Sequence, residues 1–137
     1  MKKKFILVIL LTLFIVTGCD KKEKLSCKTS VTDTGSSNNL NITFNFVNDK
    51  ISSVYEEGTL TFDETYVKYI NSYKESLDET YKNKGFDYSA TISNNNINFK
   101  LVSDSKSNSK LLKILNIKEK TKEKVKKTME ERGYSCK

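Results

Sequence analysis

Hydrophobic and polar positions along this chain change period several times, and each change marks an element. Phe5 to Val16 is apolar except for Thr12. After the polar stretch Asp20 to Lys24, Leu25 to Val31 reads as a first strand. Thr32 to Asn39, with its Gly, Ser and Asn, reads as a loop. Leu40, Ile42, Phe44 and Phe46 then alternate with Asn41, Thr43 and Asn45, the period of a strand with one buried face. Asn48-Asp49-Lys50 turns the chain into Ile51 to Phe62, where Gly58 predicts a bulge that resets the facing of the side chains. Three antiparallel strands therefore open the domain.

The period then lengthens. Tyr66, Ile70, Tyr73, Leu77 and Tyr81 follow at intervals of three and four, one stripe of a helix predicted over residues 63–84. Thr61 or Asp63 is its expected cap, with Glu64 completing a capping box on Thr61, and Gly85 stops it. Phe86, Tyr88, Ala90 and Ile92 alternate again, Asn94-Asn95-Asn96 turns, and Ile97, Phe99 and Leu101 complete a second hairpin. Ser103 to Lys110 is a polar connector. Leu111, Leu112, Ile114 and Leu115 form an apolar cluster, and Glu119 to Arg132 is a Lys/Glu-rich helix ended by Gly133. The fold expected is α+β, an antiparallel sheet of about five strands in β-β-β-α-β-β-α order under one long helix and a C-terminal helix. The Tyr66 to Tyr81 stripe is expected to pack on the face carrying Ile42, Phe44 and Phe46, as the one stripe long enough to cover it.

The apolar run at the start is an address. Lys2, Lys3 and Lys4 precede it, and Val16-Thr17-Gly18-Cys19 follows with small residues at the cleavage position. This arrangement resembles bacterial lipoprotein signals, in which the cysteine sulfur is lipidated and becomes the first residue of the mature chain. An uncleaved membrane anchor is the competing reading, but about a dozen apolar residues fall short of the roughly 20 needed to span. The expected organisation is a signal peptide at 1–18, a lipidated tether at 19–24 and a single domain at 25–137. The resemblance implies palmitate on Cys19 and a place on the outer face of the cell membrane.

Charge and cysteine content sharpen this picture. The 24 basic residues against 17 acidic ones give a net charge of +7, and losing Lys2 to Lys4 lowers it to +4. Arg132 is the single arginine, and no basic-aromatic motif interleaves, so nucleic acid is not an expected partner. Cys27 and Cys136 remain once Cys19 is assigned to lipid. In an exported chain such a pair at opposite ends of a domain reads as a disulfide, the alternative being two free thiols.

Candidate chemistry is sparse. The chain has no histidine, which removes the commonest general base and the Ser/His/Asp and Cys/His arrangements, and leaves two cysteines too few ligands for a metal site. No phosphate-binding glycine loop is present. The acidic pairs Glu56-Glu57, Asp63-Glu64, Asp78-Glu79 and Glu130-Glu131 are read at strand ends, helix starts and exposed helix faces. No catalytic residue, metal or cofactor is assigned, and the chain is not expected to be an enzyme. Tyr66, Tyr69, Tyr73 and Tyr81 are the candidate binding surface, since a tyrosine row can line a groove; the simpler alternative is a half-buried contact with hydroxyls in water.

The order of lipobox, early Cys27, three strands, Tyr-rich helix, second hairpin and closing Gly-Tyr-Ser-Cys resembles the YehR-like small bacterial lipoproteins. That resemblance brings no catalytic residue to carry across. The function expected is a membrane-anchored extracytoplasmic module for binding or protein interaction at the cell surface, its partners the membrane, through lipidated Cys19, and an unidentified protein or envelope component. A structural or envelope-maintenance lipoprotein without a small-molecule ligand is the alternative. A two-lobed solute receptor is a weaker reading, since the 119 residues left after the signal are few for two lobes closing over a ligand.

Overall fold

The computed structural model describes residues 18–137, so the signal reading lies almost wholly outside the described residues. Strands β1 (Lys22–Asp33), β2 (Ser36–Val47) and β3 (Lys50–Phe62) are followed by a 3-10 turn at Val67–Tyr69 and helix α1 (Ile70–Tyr81). Strands β4 (Asp87–Ser93) and β5 (Asn96–Ser103), helices α2 (Asn108–Ile114) and α3 (Lys122–Glu131), and a short β6 (Ser135–Cys136) complete the chain. All six strands form one antiparallel sheet in the order β4-β5-β3-β2-β1-β6. The α+β class stands, and the strand count rises from five to six because the tail after Gly133 pairs with β1.

The hairpins follow from their turn residues. Asn48 and Asp49 both hold positive φ, 50° and 61°, as a two-residue turn matched to strand twist requires. Gly35, at φ 84°, lets β1 turn into β2 within two residues. The expected loop over 32–39 is therefore mostly strand: β1 and β2 continue as polar ribbons, pairing Asp33 with Ser36. Nor is Gly58 a bulge. The register shifts at Asn45/Phe46, where Ser52 is the extra residue. Gly58 is instead a close-packing site, since a Cβ there would stand 2.6 Å from both Leu40 and Phe99.

One sheet face carries every helix of the described residues. Leu25, Cys27, Ile42, Phe44, Phe46, Val54 and Leu101 are buried there with Leu111, Ile117, Val125 and Met129. The cover over Ile42, Phe44 and Phe46 is thus α2, Ile117 and α3, correcting the expected role of the tyrosine stripe. Topology gives the reason. The link from β3 to β4 must cross β5, so α1 lies over β4 and β5 and buries Ile70 with Phe62 and Ile97. The chain between β5 and β6 crosses back toward β1 and covers the rest. The helix predicted over 63–84 is also shorter: Asp63 Oδ1 accepts from the Thr65 and Tyr66 amides at 2.9 Å each, building a turn before Ile70.

Two polar links fasten the second cover. The buried Asn108 at the start of α2 accepts from Ser103 Oγ and donates from Nδ2 to Ile51 O at 3.2 Å, so part of the expected connector is anchored helix. Arg132, just after α3, donates to Leu115 O and Asn116 O, both at 2.7 Å, satisfying carbonyls at the end of α2. Cys27 and Cys136 face each other across β1 and β6 and are bonded, with Cα atoms 4.0 Å apart, joining residues 109 positions apart.

Candidate functional site

Among the described residues no helix lies over the sheet's other face, and its outward side chains fall into register across five strands. Lys28, Asn41, Glu57, Lys100 and Ser89 form one row. Ser30, Asn39, Thr59, Asn98 and Thr91 form the next. Between them the backbone of Thr29, Leu40, Gly58 and Phe99 makes the floor of a trough of about 640 Å³. At a strand spacing of roughly 4.8 Å, five strands give a length of about 19 Å.

Glu57 is the organised centre of this trough. Its carboxylate accepts from the Tyr55 hydroxyl and from Asn41 Nδ2 at 3.2 Å, and Asn41 Oδ1 accepts from Ser26 Oγ at 3.2 Å. The hydrogen bonds from Tyr55 and Asn41 hold the Glu57 carboxyl below its usual range, helped by the charges of Lys100 and Lys28. Neither lysine forms an ion pair among the described residues. Thr59 donates to Asn98 Oδ1 at 2.9 Å along the second row. The trough thus offers amides that both donate and accept, hydroxyls, one fixed carboxylate and two ammonium groups, a lining for an extended polar ligand.

The four candidate tyrosines separate. Tyr66, Tyr69 and Tyr73 are exposed at the start of α1, at 36%, 47% and 49% of full accessibility. Tyr66 lies on the Gly35 turn, Lys68 Nζ stands 5.0 Å over the Tyr69 ring, and Tyr73 packs on Phe62 at 5.0 Å. Tyr81 is half-buried against Phe86 and Tyr88, and its hydroxyl is pushed up to about 12 by burial and then by the charge of Glu56. It does not share a surface with the other three.

The acid pair Glu56-Glu57 lies in mid-strand, correcting its expected place at a strand end, and the two side chains point to opposite faces. Glu56 sits in the helix-covered face between Ile42 and Leu101 at 4% exposure, with Oε2 unpartnered, and burial pushes its carboxyl up to about 7. Its charge also raises the Tyr134 hydroxyl, after burial. No group of three or more Cys, Asp or Glu side chains positioned to hold a metal occurs among the described residues.

Cys19 is an exposed thiol one residue before the first ordered contact. Asn48 Nδ2 donates to Asp20 Oδ1 at 2.8 Å, the Lys21 amide donates to Asn48 Oδ1 at 3.0 Å, and the Asn48 amide donates to Lys21 O at 2.9 Å. With β1 starting at Lys22, the expected tether of 19–24 is not a tether. Its polar residues belong to the strand and to a clamp on the β2–β3 turn. None of the helices among the described residues is long and apolar enough to cross a membrane.

Sequence reasoning missed the trough because its residues read as an ordinary solvated side; only the register across five strands brings them together. The outward Asn, Ser, Thr and Lys positions were the available signal.

No protein-family description matches the chain, and no curated protein matches it. Among solved structures it is similar to the Escherichia coli YehR protein, determined by NMR, at 21% identity over 85% of this chain and 91% of that one, with a TM-score of 0.58. It is also similar to an NMR structure of a protein from Streptococcus pneumoniae TIGR4, at 15% identity over 85% and 86%, with a TM-score of 0.53. At these identities the likeness is one of fold: the chain shares its α+β architecture with YehR.

Proposed function

We propose that this chain is a lipid-anchored binding module on the outer face of the cell membrane, attached through Cys19 and holding an extended polar ligand in the trough of its open sheet face. The trough is the observation that carries the reading, because it combines length, an ordered carboxylate and two lysines that, among the described residues, have no ion-pair partner, on a face that no described helix covers. The anchor is supported by the lipobox pattern and by the exposed cysteine at the edge of the folded domain. The Cys27–Cys136 bridge suits an oxidising compartment outside the cytoplasm. A second reading, a protein-contact surface, is favoured by the exposed Tyr66, Tyr69 and Tyr73.

Two measurements test the parts separately. Radiolabelled palmitate should enter the wild type and not Cys19→Ala, and the mature wild type should have the mass of a chain starting at Cys19; an unlabelled wild type sinks the anchor. Cross-linked recovery of ligand from native membranes should fall in Lys100→Ala and persist in Tyr69→Ala. The reverse pattern moves the binding surface to the tyrosines.

A further inference from the structure

The anchor end is clamped, and that clamp fixes how the domain stands. A lipidated cysteine followed by a flexible linker would let its domain tumble. Here Asp20 and Lys21 are already bonded to Asn48, so only the Cys19 backbone separates the acyl chains from the β2–β3 turn. We propose that the lipidated protein stands upright, with the Asn48-Asp49 turn against the bilayer headgroups and the strands rising from it. Asp20, Glu23 and Asp49 balance Lys21, Lys22 and Lys50 at this end, so acyl insertion and the clamp, not headgroup attraction, set the pose.

This orientation rests on the lipid-anchor reading of Cys19 and deepens the binding reading. The trough crosses the strands, so in the upright pose it runs parallel to the membrane. Its floor residue Thr29 is seven positions along β1 from Lys22, roughly 23 Å above the turn at about 3.3 Å per residue. The far turn begins at Thr34, twelve positions from Lys22, and stands roughly 40 Å up on the same rise. A site at that height is out of reach of lipid headgroups. Its ligand is therefore a polar chain of the envelope layer lying parallel to the membrane.

The test uses the full lipidated chain in vesicles containing quencher-headed lipids. Cys19 is acylated and Cys27 and Cys136 are bonded, so an added cysteine is the one reactive thiol. Fluorophores are placed by Lys50→Cys at the near turn or Thr34→Cys at the far turn, both exposed. Flotation and mass first establish acylation; a chain that does not float overturns the anchor reading and this pose with it. For floating protein, the Lys50→Cys probe should lose most of its emission and the Thr34→Cys probe should keep it. Equal quenching overturns the pose and leaves the anchor intact. Asn48→Gly keeps the left-handed turn while deleting both side-chain bonds, and it should narrow the difference between the two probes. An unchanged difference would overturn the clamp.

Discussion

Glu56 is an ionisable residue in a place built for an apolar one, and the fold answers by holding it protonated up to about pH 7. The sign of its effect follows from the raised value. Below the usual carboxyl range both folded and unfolded chains keep the proton, and no penalty exists. As pH climbs from about 4.5 toward 7 the unfolded chain ionises first, so the native state loses roughly 3 kcal/mol of relative stability and then levels off. Urea unfolding should therefore give a lower midpoint at about pH 8 than at about pH 5.5, and Glu56→Gln should flatten that difference. A flat wild-type profile would show that the carboxyl reaches water. Glu57, Asp78 and Asp104 have lowered values and act in the opposite direction, at more acidic pH. Gly58 is the second residue whose neighbours decide its identity. Alanine there drives a methyl into Leu40 and Phe99, an overpacking expected to cost about 1–3 kcal/mol. The double change Gly58→Ala with Leu40→Ala should recover part of that loss, measured by the same unfolding.

At the scale of elements, the alternating strands were legible because Ile42, Phe44 and Phe46 have one buried face and nothing else competes for their period. The boundaries of β1 and β2 were not, because Thr32, Asp33 and Ser36 to Asn39 carry loop residues and owe their strand geometry to pairing. Likewise Tyr66 shares the helical spacing of Ile70 and Leu77, yet lies in the turn that Asp63 organises before α1 begins. Which helix covers which strands is a property of strand order, and no local pattern encodes it. The stripe is consequently buried at Ile70 and open one turn to either side, at Tyr66 and Tyr73. Ile70→Ala should cost about 2–5 kcal/mol by leaving a cavity against Phe62 and Ile97. Tyr73→Ala removes a half-exposed ring tilted against Phe62, whose pair contact is worth about 0.5–1.5 kcal/mol beyond the area it buries, and should cost less than Ile70→Ala. Thermal melts of the two variants separate these values, and equal losses would mean that Tyr73 is as much a core residue as Ile70.

For the whole molecule, the decisive contact joins the two ends. Cys27 and Cys136 were legible as a pair from position alone. What position could not give is that the pairing adds a sixth strand, seats Tyr134 near Glu56 and holds α3 over Leu25 and Phe44. The trough belongs to this scale too, since its rows exist only when β1 through β5 are in register. The bridge closes a span of 109 residues, for which the chain-entropy account gives roughly 4.7 kcal/mol, arising in the unfolded ensemble. The double change Cys27→Ala with Cys136→Ala should therefore lower the unfolding free energy by about 3–5 kcal/mol while leaving the pairing of β1 with β2 and the trough in place. Hydrogen exchange provides the check. Amides of β2 and β3 should stay the slowest set in both proteins, with protection reduced uniformly, whereas Lys137 and Ser26, which bond each other's carbonyls, should open locally. Collapse of protection across β2 and β3 to the level of the termini would mean instead that the bridge holds the native sheet together.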